Sequence, residues 1–293
     1  MSRSFIIDGS TKLCALLGSP VAHSLSPAMH NTAFRLLGIN CVYLCFDVTE
    51  ADLEKAAEGL RKCNVLGFNV TMPDKKKMFS LADDLSPAAR LIGAVNTVVN
   101  KDGRLIGHNT DGAGFLHSAA DAGWTAPGES VVILGAGGAA SAIAAQAAID
   151  GARSLTIAGR PRSRFRKSAG ELLENIRTAT GCHTSFVNME DEAELKDAIE
   201  SSSLLVNATP VGMEGSKDQS LIEDPSMFHR DLFVADLIYS PARTRLLHLA
   251  EDAGCRVFNG MFMLLYQGSE AFRLWTGRDM PVEEIRKKYF SAE

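Results

Sequence analysis

The chain has 293 residues and a formal net charge of −5, long enough for two domains and without the basic balance that draws nucleic acid. No apolar run reaches the length of a membrane span, and the opening MSRSFIIDGS lacks the apolar core and cleavage pattern of a signal peptide. Cys14, Cys41, Cys45, Cys63, Cys182 and Cys255 form no C-x-x-C and no zinc spacing, and most sit in apolar runs, so reduced, buried thiols in a cytoplasmic protein are expected.

In chain order, Leu13–Leu17 reads as a strand turned by Gly18-Ser19-Pro20. Ser26–Leu37 reads as a helix with Ser26 as N-cap and Pro27 at its first position. Cys41–Val48 and Leu66–Met72 read as strands on either side of an amphipathic helix, Ala51–Lys62. Helices around Lys75–Ala82 and Pro87–Ile92 follow, then a short antiparallel pair, Val95–Val99 and Leu105–Gly107, turned at Asp102-Gly103. Asp111 opens a helix through Ala122.

The next stretch, VVILGAGGAASAIAAQAAIDGARSLTIAGR, organises the rest. Val131–Leu134 reads as a strand buried on both faces. The turn Gly135-Ala136-Gly137-Gly138-Ala139-Ala140, an alanine-rich helix at Ser141–Ile149 and a strand at Ser154–Ala158 complete a βαβ unit. Glycine reaches the φ values of such a turn without a Cβ clash. A pyrophosphate can then lie over the free N–H groups that open the helix. The alternative is a plain tight turn. After the second strand come Arg160, Arg162 and Arg164 in place of the carboxylate that takes the ribose 2′-OH of NAD. Three guanidiniums suit a 2′-phosphate, hence NADP preferred with NAD possible, against a solvated basic loop.

Beyond Arg160 the alternation continues. Arg166–Thr178, Thr244–Ala253 and Met263–Trp275 read as helices, and Leu204–Asn207, Leu232–Leu237 and Arg256–Phe258 as strands; Glu190–Glu194 reads as a solvated acidic turn. The fold class expected is α/β, with a discontinuous substrate domain over residues 1–110 plus 262–293 and a Rossmann-like parallel-sheet domain over 111–261. The site is expected in the cleft between them.

Polar groups cluster at strand ends. Ser24 and Ser26 flank a helix start, where they can hold a carboxylate or merely cap the helix. Asn69 and Thr71 alternate onto one face of a strand whose carboxyl end leads to Lys75. Lys75 is a candidate proton donor, or part of a solvated run with Lys76 and Lys77. Asp111 can tune a lysine or simply cap a helix. His30, His117 and His248 fall in helices as packing or surface residues, and no cluster demands a metal.

Seven segments in register carry a resemblance: Ser24-Leu25-Ser26-Pro27, Asn69-Val70-Thr71-Met72-Pro73-x-Lys75, Ala94-Val95-Asn96-Thr97, Asn109-Thr110-Asp111-Gly112, Gly135-Ala136-Gly137-Gly138-Ala139, Asn207-Ala208-Thr209-Pro210-x-Gly212-Met213 and Tyr266-Gln267-Gly268. The chain resembles the shikimate/quinate dehydrogenase family over essentially its whole length, closest to the quinate/shikimate branch. The resemblance implies reversible reduction of 3-dehydroshikimate to shikimate by NADPH; that branch also accepts quinate and uses either nicotinamide cofactor. It implies Lys75 and Asp111 as a catalytic pair, the lysine passing a proton to or from the reacting oxygen, the aspartate holding the lysine and sharing the substrate hydroxyl. Ser24 and Ser26 match its carboxylate clasp, Thr71, Asn96 and Gln267 its ring-hydroxyl contacts, and Tyr239 its substrate side. Asn207, Ala208 and Thr209 match residues along the cofactor, and Gly260 and Met263 the nicotinamide contact.

The loop Gly159-Arg160-Pro161 departs from the family's usual Asn-Arg-Thr, Arg162 stands where the dual-cofactor branch carries an aspartate, and Phe262 replaces a frequent glycine. A small-molecule enzyme without nucleic-acid or membrane partners, monomeric or homodimeric, is expected. The rivals are a quinate- or aminoshikimate-preferring dehydrogenase and a silent nucleotide-sensing homologue.

Overall fold

The computed structural model describes residues 6–290. The chain divides into two compact units, one gathering residues up to Thr110 and from Leu265 onward, the other running Asp111–Leu264.

The first unit begins with β1 (Lys12–Gly18), α1 (Ser26–Leu37), β2 (Cys41–Asp47), α2 (Leu53–Lys62), β3 (Gly67–Val70) and α3 (Lys75–Leu81). The two-residue β4 (Asp84–Leu85), α4 (Pro87–Ile92), β5 (Thr97–Lys101) and β6 (Arg104–His108) follow. The sheet order is β2-β1-β3-β5-β6-β4. β1 pairs in parallel with β2 and β3, whereas β5 runs antiparallel to both β3 and β6. Ala15, Leu17, Phe68, Val70 and Val98 from these strands join Leu53, Ala57 and Met78 from α2 and α3 in one apolar core. Each large side chain so buried stabilises the unit by roughly 1.5–3 kcal/mol.

The start of α1 differs from the expected one. Leu25 already has helical dihedrals, so Ser26 is the first helical residue and caps nothing. Its backbone N–H donates instead to the Ser24 hydroxyl at 3.2 Å, a local serine turn.

The second unit comprises α5 (Asp111–Asp121), β7 (Ser130–Leu134), α6 (Gly138–Ile149), β8 (Ser154–Gly159), α7 (Arg166–Thr180), β9 (His183–Asn188), α8 (Glu192–Glu200), β10 (Leu204–Asn207), β11 (Phe233–Asp236), α9 (Arg245–Asp252) and β12 (Arg256–Asn259). Its sheet runs β12-β11-β10-β7-β8-β9 with every neighbouring pair parallel. Counted within the unit this is the order 6-5-4-1-2-3, a doubly wound dinucleotide fold whose strand order reverses between β7 and β10. Val132, Leu134, Leu205 and Val234 from the strands pack with Leu195, Ile199, Leu246 and Leu247 from α8 and α9.

Helix α6 begins at Gly138, three residues before the expected Ser141. The expected acidic turn at Glu190–Glu194 is a helix start. Asp191 accepts from the Glu194 N–H at 3.1 Å and caps α8, while Glu194 accepts from the Asn188 N–H at 3.1 Å. The acidic run is thus first-turn charge favoured by the helix dipole.

Helix α10 (Met261–Thr276) begins in the second unit and finishes in the first, followed by α11 (Val282–Tyr289). In the first unit Trp275 Nε1 donates to the Val98 carbonyl at 2.9 Å, and His30 lies buried between the stacked rings of Tyr43 and Phe272. His117 and His248 are exposed on their helices. Cys14, Cys41, Cys182 and Cys255 are buried free thiols, whereas Cys63 is exposed. No helix among the described residues is long and apolar enough to cross a membrane.

Candidate active site

The nucleotide side of the site lies within the second unit. A cleft of about 1130 Å³ opens at the carboxyl ends of β7, β8 and β10, where the reversal of strand order leaves room for a ligand. Gly135, Ala136 and Gly137 form its floor, Ala208 and Thr209 one side, and Arg160, Arg162 and Arg164 another. Gly135 has φ +104°, and a Cβ there would sit 2.8 Å from the Thr209 methyl and 3.2 Å from the Ala208 carbonyl oxygen. Glycine is required both by the turn and by that close approach. Gly138 and Ala139 open α6 directly behind the floor, presenting its unsatisfied N–H groups.

The three arginines form no ion pair among the described residues. Arg164 lies over the Phe165 ring at 4.7 Å. Three unneutralised guanidiniums fit a phosphate beyond the pyrophosphate itself. Glu190 also lines the cleft.

Asn207 does not line the cleft; it builds it. Its side chain is buried and its Oδ1 accepts from the Thr209 N–H at 3.0 Å and the Thr209 hydroxyl at 2.7 Å. Its Nδ2 donates to the Val211 carbonyl and to Asp236, each at 3.1 Å. Burial pushes the Asp236 carboxyl up, against the hydrogen bonds it accepts from Thr244, Ile238 and Asn207. Further on, Tyr239 is exposed. A Cβ on Gly260 would collide with the Leu237 backbone, so only glycine lets the chain enter α10 there. Met263, on the first turn, is half-buried, and its N–H donates to the Gly260 carbonyl at 3.2 Å.

The substrate side of the assignment lies in the first unit, apart from Asp111 and Tyr239. Ser26 is buried and Ser24 half-buried; burial pushes the neighbouring Cys45 thiol up, partly offset by the Ser24 hydroxyl. Thr71 follows β3, its N–H still bonded to the Leu17 carbonyl at 3.0 Å. Lys75 begins α3 just beyond that strand's carboxyl end, half-buried, and its carbonyl accepts from the Val95 N–H at 2.9 Å. Asn96, the next residue, is buried; its Oδ1 accepts from the Thr110 N–H at 2.8 Å and its Nδ2 donates to the Thr110 hydroxyl at 3.1 Å. Gln267 is half-buried on α10. Asp111 is the first residue of α5. No group of three or more His, Cys, Asp or Glu side chains able to hold a metal occurs among the described residues.

Sequence reasoning passed over Tyr43 and Asp74, and placed Thr97 in a motif without its partner. Tyr43 Oη donates to Asn69 Oδ1 at 2.8 Å, and Asn69 Nδ2 donates to Thr97 Oγ1 at 2.9 Å. These are long-range pairs with no local signal. Asp74, beside Lys75, is fully buried with no hydrogen bond to either carboxyl oxygen.

Comparison with known proteins gives the family. Residues 16–98 match the model of the shikimate dehydrogenase substrate-binding domain, and residues 260–288 that of the shikimate 5′-dehydrogenase C-terminal domain. A shikimate dehydrogenase (NADP(+)) of Alkaliphilus metalliredigens is 46% identical over 97% of this chain and 98% of its own length. The chain belongs to the shikimate dehydrogenase family. A crystal structure of shikimate 5-dehydrogenase from Listeria monocytogenes, in complex with shikimate and NAD, superimposes with a TM-score of 0.93 at 43% identity, covering 96% of this chain and 97% of that one. A quinate dehydrogenase from Corynebacterium glutamicum in complex with NAD gives 0.83 at 32% identity over 96% and 99% of the two chains. The shikimate dehydrogenase family is a family of oxidoreductases, and the fold class expected from sequence is the one found.

Proposed function

We propose that this chain catalyses the reversible NADPH-dependent reduction of 3-dehydroshikimate to shikimate. The observation that carries the reading is the place of Lys75. It stands at the start of α3, beyond the carboxyl end of a buried strand, with its carbonyl tied to the residue before Asn96.

Bound NADPH supplies the hydride for the substrate carbonyl carbon. The chain's own residues do the rest. Lys75 gives its proton to the carbonyl oxygen as the negative charge develops, a general-acid step worth about 10²–10⁴-fold in rate. Asp111 is the carboxylate of the pair, sharing the hydroxyl that forms. Ser24 and Ser26 clasp the ring carboxylate, and Thr71, Asn96 and Gln267 hold ring hydroxyls. Gly135–Ala139 receive the pyrophosphate, Ala208 and Thr209 flank the cofactor, and Gly260 and Met263 border the nicotinamide. Arg160, Arg162 and Arg164 neutralise the 2′-phosphate, so NADP is preferred over NAD.

The similarity to a quinate dehydrogenase that binds NAD favours one secondary activity, oxidation of quinate. One added hydrogen-bond partner suffices to hold its extra hydroxyl. Initial rates for shikimate and quinate, each with NADP and with NAD, test both readings. The highest kcat/KM is expected for shikimate with NADP. A clear preference for quinate with NAD would overturn the assignment.

A further inference from the structure

The carboxamide of Asn69 sits where a candidate substrate contact, Asn96, meets the sheet. It lies on β3 opposite Thr97 of β5 and is 6% exposed, so it cannot trade a lost partner for water. Its Oδ1 accepts from Tyr43 Oη at 2.8 Å. Its two amide hydrogens have separate destinations, the Asn96 carbonyl at 3.2 Å and Thr97 Oγ1 at 2.9 Å. Three strands are therefore joined through one side chain.

The direction of each bond follows from donor and acceptor chemistry. An amide N–H₂ only donates, so Thr97 Oγ1 accepts from Asn69 and its own hydrogen turns outward. That hydrogen is offered to Asn96 Oδ1 at 3.0 Å. The same Oδ1 accepts the Thr110 backbone N–H at 2.8 Å. Asn96 is thereby fixed in one of its two amide orientations, with its Nδ2 turned to the Thr110 hydroxyl. At the other end, the Tyr43 ring stacks on His30 at 4.5 Å between centroids.

We infer that Asn69 is a positioning residue for substrate: it holds Asn96 through Thr97, without touching the reacting atoms. The inference rests on the functional reading above. A buried network of this kind sets side-chain direction more strongly than its individual bonds suggest, because each unpaired member would be left without solvent.

The test compares Asn69→Val with Thr97→Val, measuring KM for shikimate, KM for NADP, kcat and Tm. Thr97→Val is nearly isosteric and removes the hydroxyl that relays Asn69 to Asn96 Oδ1, together with its contact to the Thr110 hydroxyl, so it serves where Asn69→Val fails to fold. Loss of ground-state positioning raises KM while leaving kcat in place. Both variants are expected to raise KM for shikimate about ten-fold, the effect of one lost hydrogen bond at the strong end of the range, with kcat within about three-fold and KM for NADP unchanged. A lowered Tm with an unchanged KM for shikimate in Thr97→Val would mean a purely structural network and overturns the inference. If the wild-type protein turns over no shikimate, the functional reading has failed and the inference falls with it. If wild type turns over and only the KM effect is missing, the inference alone has failed.

Discussion

The Val95 N–H donates to the Lys75 carbonyl at 2.9 Å. That bond stitches the first turn of α3 to the segment carrying Asn96. Val95 is itself buried in the apolar core with Met78 of α3. The lysine backbone is therefore fixed by both the sheet and the core, and a proton donor held on such elements keeps its aim.

On the proposed function, the arginine loop governs cofactor choice. Arg162→Ala removes one guanidinium from the cleft and no ion pair. Loss of a charge-assisted hydrogen bond to the 2′-phosphate is expected to raise KM for NADP about 10–100-fold. The kcat/KM with NAD should stay within about two-fold, since NAD carries no phosphate there. Steady-state kinetics with both cofactors check this, and equal losses for both would assign the loop to general folding.

His30 makes stability fall in acid. Burial lowers its pKa from 6.5 to about 3, so the unfolded chain takes up a proton that the folded one refuses. The contribution is full above pH 6.5 and is lost as pH falls toward 3. The slope from this group approaches about 1.4 kcal/mol per pH unit between those limits. Urea unfolding from pH 7 downward should therefore be less steep in pH for His30→Phe, which keeps a ring against Tyr43. An identical slope in the variant would contradict the neutral buried histidine.

Asp74 works in the opposite sense. Its buried carboxyl is raised above the ordinary 3.8, first by desolvation and then by Glu50, with Lys77 opposing. Lys77 Nζ is itself engaged by the Glu50 carbonyl. Below 3.8 the acid is neutral in folded and unfolded chain alike, and nothing is lost. As pH rises from there through the folded value, the unfolded chain ionises first and stability declines. Asp74→Asn removes that decline. Its Tm advantage over wild type is expected to grow with pH and then level off; a Tm difference independent of pH, or a less stable variant, would show that the carboxylate has a partner in solution.

The parts legible in the sequence are those with a local cause. The glycine turn at Gly135, the arginines after β8 and the buried run of β7 each announce themselves within a few residues. Strand β9 was not legible because HTSFVN buries only Val187 deeply, leaving no apolar run or clean alternation. The start of α8 was masked because the acidic run Glu190–Glu194 reads as a solvated turn, and only the bond from the Glu194 N–H to Asp191 makes it a helix start. Ser26 resembled an N-cap until the dihedrals of Leu25 moved the helix start back one residue. The Tyr43, Asn69 and Thr97 network joins residues 26 and 28 positions apart, so it exists only once the sheet has formed. Asp74 looked like one more charge beside three lysines, and only its burial sets it apart.

The most direct measurement is NADPH formation at saturating shikimate by wild type and Lys75→Ala, with cofactor binding followed in parallel by fluorescence. The expected result is turnover by the wild type, a loss of about 10²–10⁴-fold in kcat for the variant and unchanged NADP binding. A variant that keeps wild-type kcat would contradict the lysine as proton donor.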